Sequence, residues 1–421
     1  MKILVVGGGG REHAIIAKLK ENSKVEHIYA LPGNGGIAAL AECIPIQATD
    51  IVAIRDFAVE KRVDFAVVAP DDPLVIGAVD LLQEAGITCF GPDKKAARIE
   101  GSKVFAKELM LKYGIPTASY AVFEDTEQAL EYCDLAPHYP LVIKADGLAL
   151  GKGVLIAESK EEARSDINSI MQERIFGDSG SSVVIEEFLT GPEVSVLTFT
   201  DGHTIVPMVS SMDHKRALDG DLGLNTGGMG ALAPNPYYTE EIAAECMEKI
   251  YLPTIRAMRS EGRPFKGCLY FGLMLTERGP RVIEYNCRFG DPETQVVLPL
   301  LQSDLLTVMQ AVEGERLHEI EVKFSKENAC CVVMASGGYP QRYETGLPIA
   351  FKDGEQALIY HAATKLKNGC YHTSGGRVLG ITGLAPTLQE AIGKAYAAVE
   401  LIDFQGKYYR NDIGQMALAA K

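Results

Sequence analysis

The chain opens on an apolar run that stops at a glycine cluster and passes at once into a helical pattern: Lys2–Val6, then Gly7-Gly8-Gly9-Gly10, then Arg11–Lys20. A strand with no polar face belongs in the middle of a sheet covered on both sides. The alternation recurs, with strands at His27–Ala30, Phe65–Ala69 and Thr88–Phe90 and helices near Ala53–Glu60 and over Ser102–Lys112. Strand, helix and strand in that order predict a doubly wound parallel sheet over residues 1–120.

A chain of 421 residues has room for about three domains that each bury a core. The later pattern divides further. Residues 121–190 carry antiparallel signals, Leu141–Asp146 and Val154–Glu158 joined by a glycine-rich turn, and suit a small α+β lobe. Residues 191–325 alternate strands (Glu193–Thr200, Thr204–Ser210, Leu269–Leu275, Arg281–Cys287) with helices around 239–260 and 293–312, and residues 326–421 form a last small module beginning with Ala329–Ser336. The fold class is therefore α/β with α+β lobes.

Lys and Arg number 41 against 56 Asp and Glu, so the formal charge is −15, which opposes binding to nucleic acid or an anionic membrane. No apolar run is long enough for a membrane helix or a signal-peptide core, so a cytoplasmic location is expected. The nine cysteines are scattered without a CxxC, which argues against a disulfide framework or a zinc site.

Because the net charge is negative, an anionic ligand must be caught by local cations and backbone N–H groups. Gly7–Gly10 before a helix can grip a phosphate or be no more than a tight turn. It makes a poor dinucleotide fingerprint, since Glu12 stands at its sixth position and the second strand, HIYALPG, ends without a ribose-binding acid. Lys144 lies on a strand before Gly147-Leu-Ala-Leu-Gly151-Lys152-Gly153. A strand lysine beneath a glycine flap suits nucleotide phosphates, although such a hairpin can equally be a plain turn, and it is not a Walker loop. The run Val183–Glu193, with Glu186 and Phe188, reads as a hinge between lobes or as a charged crossover.

Val282-Ile-Glu284-Tyr-Asn286-Cys-Arg288 is the most informative stretch. A two-residue period places Glu284, Asn286 and Arg288 on one face at intervals of about 6.6 Å, with Ile283, Tyr285 and Cys287 toward the core. A carboxylate and an amide oxygen suit Mg²⁺, and a guanidinium one step on can fork onto a carboxylate or acyl phosphate. Asp291-Pro292 follows and ends the strand beside another acid. Asp213-His214-Lys215-Arg216 and Asn225–Ala231 offer cations and backbone donors, or else a solvated face.

The segments GGGGREHA, PGNGG, EGSKVFAK, KADGLALGKGV, EEFLTGPEVS, DHKR, NTGGMGA, RFGDPETQ and YYRNDIG, in that order, make the whole chain resemble the phosphoribosylamine–glycine ligases, a family of ATP-grasp enzymes in purine biosynthesis. The resemblance implies an ATP-grasp fold preceded by the doubly wound domain and followed by a small C-terminal domain. It implies ligation of glycine to 5-phosphoribosylamine through glycyl phosphate, with ATP and Mg²⁺ or Mn²⁺, in a protein expected to be monomeric. Residue by residue, it assigns Lys103, Lys144 and the flap Gly147, Gly151, Lys152 and Gly153 to the phosphates, Glu186 and Phe188 to adenine, and Glu193 to ribose. Glu284 and Asn286 would hold the metal. Arg288 would anchor the glycine carboxylate with Asp213 and Lys215 beside it. Gly9, Arg11, Glu12, Gly33, Asn34 and Asp291 would hold the amine substrate.

Two departures stand out. Pro70-Asp71-Asp72-Pro73-Leu74 replaces a Gly-Pro-Glu version of a sugar-phosphate loop, and Cys268–Leu275 lacks the second metal-binding acid of many ATP-grasp enzymes. Competing readings are another ATP-grasp carboxylate–amine ligase or carboxylase, a non-catalytic nucleotide-binding regulator, and a nicotinamide-dependent oxidoreductase suggested only by Gly7–Gly10.

Overall fold

The computed structural model describes residues 1–148, 153–354 and 357–420. Its first sheet has five parallel strands in the order Glu42–Cys43, His27–Pro32, Lys2–Gly7, Phe65–Val68 and Thr88–Phe90. Ile3–Val6 are wholly buried at its centre, as an all-apolar strand requires. The chain winds outward in opposite directions from Lys2–Gly7 and Phe65–Val68. The loops at their carboxyl ends, carrying Gly8-Gly9 and Pro70, therefore face a topological switch point, the usual ligand crevice of such sheets.

Helices start where the sequence offers a cap. Asp50 accepts from Ala53 N to open Ile51–Lys61, and Ser102 accepts from Phe105 N to open Lys103–Tyr113, which stops at Gly114 in the left-handed region. The stretch 70–74, expected as a loop, instead begins a helix, Asp71–Ile76. Extended Pro70 precedes it and the two aspartates occupy its positive first turn.

The lid lobe is an antiparallel sheet in the order Tyr120–Phe123, Val183–Glu187, Leu141–Ala145 and Val154–Ala157. Its core, including Cys133, Ile143, Ile167 and Ile185, is its own. The central sheet runs Ile205–Pro207, Glu193–Asp201, Lys266–Thr276 and Gly279–Asn286, all antiparallel. One apolar cluster joins Leu4 and Val6 of the first sheet to Tyr251, Phe271 and Tyr285 of this lobe, so those two parts pack as one body while the lid stands on separate footing.

The last sheet does not respect a boundary at 325. Its order is Met212–Asp213, Gly230–Ala233, Asn328–Ser336, Arg377–Ala385 and Leu358–His361, with Lys407–Tyr408 also pairing with Asn328–Ser336. Two of its strands thus come from the central region. Asn34 ties the first domain to this module: its side-chain amide donates to the carbonyls of Gly8, His361 and Ala362, and its oxygen accepts from Gly36 N and Ile37 N.

Candidate active site

A cleft of 790 Å³ separates the lid lobe from the central sheet, a size suited to a nucleotide with a small co-substrate. Its floor is the strand Gly279–Asn286 and the turn that follows. Glu284, Asn286, Arg288 and Asp291 all line the cleft, as the two-residue period predicts. The expectation for Ile283 fails. Gly272 pairs with Glu284 and Leu273 with Val282, so Ile283 is the extra residue of a β-bulge. Tyr285 and Cys287 are buried as expected, but Ile283 lines the cleft and its carbonyl accepts from Lys144 Nζ at 3.0 Å.

Opposite the floor stand the lysines. Lys144 Nζ lies 2.9 Å from Glu186, whose other oxygen lies 2.8 Å from Lys107 Nζ; all three side chains are 5% exposed or less. Burial drives the Lys107 ammonium down to about 8, against the pull of Glu186. The sequence reading missed Lys107, although it sits four residues after Lys103 on one helix and so on the same face. Lys103 donates to the Gly147 carbonyl at 2.7 Å, so the helix start and the base of the flap are already joined. Phe188 is 39% exposed and lines the cleft with Gly153. Gly151 and Lys152 lie outside the described residues.

The far wall is the segment 213–227. Lys215 lies 2.9 Å from Glu193 and 3.9 Å from Glu284. Burial works against charge on Lys215, but Glu193 and Glu284 outweigh it and hold its pKa well above the ordinary lysine value. Burial likewise works against the Glu284 carboxylate, yet Lys215, Lys144, Lys103 and Arg288 together hold its pKa below the usual range. It is therefore anionic at neutral pH. Half-buried Asp213 shifts the other way. Desolvation and neighbouring Glu293, an acid the sequence reading did not select, push it well above the carboxylate range.

Arg288 is held by two acids. Its Nη2 is 3.1 Å from Glu100 and 3.7 Å from Asp71, the latter in the segment where the sequence departs from the family pattern. Glu100 also accepts from Cys287 N at 2.6 Å, which fixes the turn carrying Arg288. Neither partner was legible, since each reaches the site from another domain. Asp291 accepts from Gln295 and faces Arg377 of the last sheet at 3.4 Å. Burial raises its pKa, but Arg377 and Arg11 more than offset this.

The first glycine loop abuts this end through Arg11, which donates to the Phe289 carbonyl. Glu12, 2% exposed, accepts from Gly9 N and Arg11 Nε. Gly33 N donates to the Gly7 carbonyl, and the Asn34 amide is taken up by the domain joint described above. Of the residues expected to hold the amine substrate, Glu12 and Asn34 thus shape the loop with their own side chains, Asp291 lines the cleft, and Gly9 and Arg11 lie behind it beside Asp291 and Phe289.

Glu284 and Asn286 offer hard oxygen donors among cations, a set that fits Mg²⁺. Among the described residues no group of three or more His, Cys, Asp or Glu could hold a metal, so an ion here would lean on nucleotide oxygens and water, as Mg²⁺ commonly does.

A strand lysine beneath a glycine hairpin, a hinge between two lobes, and an acid, an amide and an arginine along one strand facing them define an ATP-grasp enzyme. Residues 101–294 match the ATP-grasp (A) domain of phosphoribosylglycinamide synthetase, residues 1–100 its N domain and residues 329–416 its C domain. The chain belongs to the phosphoribosylglycinamide synthetase family. It is 47% identical over 414 residues to the phosphoribosylamine–glycine ligase of Caldanaerobacter subterraneus, covering 98% of this chain and 99% of that one. The crystal structure of phosphoribosylamine–glycine ligase from Thermotoga maritima superposes with a TM-score of 0.86 at 35% identity, over 98% of this chain and 100% of that one. A biotin carboxylase–β,γ-ATP complex from Campylobacter jejuni shares the fold at a TM-score of 0.74 and 15% identity, over 97% and 92% of the two chains. The oxidoreductase reading loses its footing, since the loop that suggested it is closed by Glu12.

Proposed function

We propose that this chain joins glycine to 5-phosphoribosylamine, consuming ATP and giving glycinamide ribonucleotide, ADP and phosphate. The observation that carries this reading is the row Glu284, Asn286 and Arg288 on the cleft floor, facing Lys144 and Lys103 with Lys215 at the side. The family to which the chain belongs supports the choice of substrates.

In this reading the hinge 186–188 holds adenine and Glu193 the ribose. Lys103 and Lys144 draw the terminal phosphates over the floor, and the lid keeps water out. Mg²⁺ held by Glu284 and Asn286 would offset phosphate charge and orient the γ-phosphoryl group. Arg288, already fixed by Glu100, forks onto the glycine carboxylate and aims one oxygen at the γ-phosphorus. That oxygen forms the new P–O bond, the bond to the β,γ-bridging oxygen breaks, and ADP leaves. Lys215 and Arg288 offset the charge that builds on the transferring group.

The amine of phosphoribosylamine, presented from the Gly9, Arg11 and Asp291 end, then attacks the acyl carbon. Phosphate departs with its oxygen, and an amide remains. The proton that the attacking nitrogen sheds can be taken up by the departing phosphate, beside Asp213. No covalent enzyme intermediate is needed.

Seven of the nine cysteines are buried, and no helix among the described residues is long and apolar enough to cross a membrane; we take the enzyme to work as a cytoplasmic monomer, which sedimentation would check. The decisive experiment is a coupled ADP-release assay with each substrate omitted in turn. ADP release that needs glycine and phosphoribosylamine together supports the reading, whereas release supported by bicarbonate, or without an amine, favours another ATP-grasp reaction.

A further inference from the structure

The hairpin beside Lys215 has no core of its own. Its strands, Arg216–Leu218 and Leu222–Asn225, form a separate two-stranded sheet among the described residues. Leu218, Leu222 and Leu224 are 48%, 64% and 51% exposed. A two-stranded ribbon that buries no apolar face is marginal in water. Yet the segment that contains it supplies one wall of the cleft through Asp213, Lys215, Arg216 and Asn225.

What holds it is polar and comes from the other end of the chain. Arg410 is 1% exposed, and its Nε and Nη2 fork onto Asp412 at 2.7 Å each. Its Nη1 donates to the Asp221 carboxylate at 2.7 Å and to the Arg216 carbonyl at 3.1 Å. Neighbours repeat the bridge. Asn411 donates to Asp219 from its backbone and side-chain nitrogens (2.8 and 3.0 Å), and Gly220 N donates to Asp412 at 2.8 Å. The Tyr408 hydroxyl donates to the Ala217 carbonyl at 2.7 Å, and Gly414 N to His214 Nε2 at 3.2 Å. A buried guanidinium is costly unless its donors are met, and here its own segment meets part of the need and the hairpin the rest.

We propose that Arg410 is a positioning residue. With the segment 408–414 it clamps the hairpin so that Lys215 stays between Glu193 and Glu284 and Asp213 stays in the cleft. It touches no substrate and acts through the hairpin. This inference rests on reading the cleft as the glycine-ligating site.

Two variants test it. Arg410→Lys keeps the charge but loses the fork, and Asp221→Asn takes the charge from the hairpin's anchor, leaving a neutral acceptor, with the Arg410–Asp412 pair intact. Amide hydrogen exchange over 214–227 is measured beside steady-state kinetics for each substrate. Expected in both variants is exchange about tenfold faster in that segment, with wild-type protection in Leu141–Ala145, and a kcat/KM for glycine lowered about tenfold, the scale of one charge-assisted hydrogen bond. The KM for ATP should move by less than about threefold, since the hinge lies outside the hairpin. Wild-type exchange in Asp221→Asn overturns the proposal. So does faster exchange with glycine kcat and KM both like wild type. If Arg410→Lys does not fold, Asp221→Asn decides by itself. Should the wild-type protein fail to ligate glycine at all, the ligase reading falls in the omission assay, and the exchange comparison still decides whether the clamp exists.

Discussion

Glu284→Gln removes one negative charge while keeping the side chain's shape, and its consequences for nucleotide run in two directions. In the structure Glu284 lies 3.9 Å from the Lys215 ammonium and is 33% exposed. Two unit charges at such a distance interact by about 1 kcal/mol at water's dielectric and by about 4 kcal/mol at an effective dielectric of 20. Partial exposure selects the lower part of that span. A polyphosphate meets the same carboxylate with the opposite sign, so without metal Glu284 repels it. Metal-free ADP should therefore bind Glu284→Gln about tenfold more tightly than wild type. With Mg²⁺ the balance reverses, because the variant has lost a charged metal ligand, and turnover should fall at least about a hundredfold. Calorimetric titration of ADP in the presence of a chelator, followed by the coupled assay with Mg²⁺, reads both effects. Weaker metal-free binding, or turnover like wild type, would refute the placement of Glu284 against the phosphates.

Arg288→Ala should lose at least about a thousandfold in kcat/KM with folding retained, because freed Glu100, whose pKa burial already raises, can take up a proton; circular dichroism beside the coupled assay checks both halves. Glu186→Gln leaves Lys107 and Lys144 buried without their shared partner and should cost about 3–5 kcal/mol in chemical denaturation; an unchanged midpoint would deny that the triad is a buried ion cluster. Burial lowers His13, His214 and His361 from 6.5 to about 4. The unfolded chain then binds protons between those values that the folded one refuses, so stability should fall as pH drops from about 6.5 toward 4. The His13 shift alone corresponds to roughly 3 kcal/mol. Denaturation curves that do not change over that window would contradict it.

The first sheet was readable because Ile3–Val6 can only be central and because glycines or caps mark each exit. The cleft floor was readable for a related reason, since a two-residue period fixes which side chains share a face. Where the period broke, at the Ile283 bulge, the cause lay in the partner strand, which a local pattern cannot contain. The pairings of Glu100 and Asp71 with Arg288, and of Arg377 with Asp291, escaped notice because each partner reaches the site from a different part of the chain, and pairing between positions so far apart leaves no spacing to read. Lys107 was within reach, one helical turn beyond Lys103. The resemblance supplied the roles that geometry alone leaves open.

The shared sheet has a practical consequence for anyone exchanging parts between relatives. A crossover placed at 325 would pair Asn328–Ser336 with a foreign strand Gly230–Ala233, and would mismatch the Arg410 segment with its hairpin. The inheritable unit is discontinuous. Chimeras that carry residues 210–233 together with 328–414 should fold and turn over, whereas those cut at the apparent linker should not.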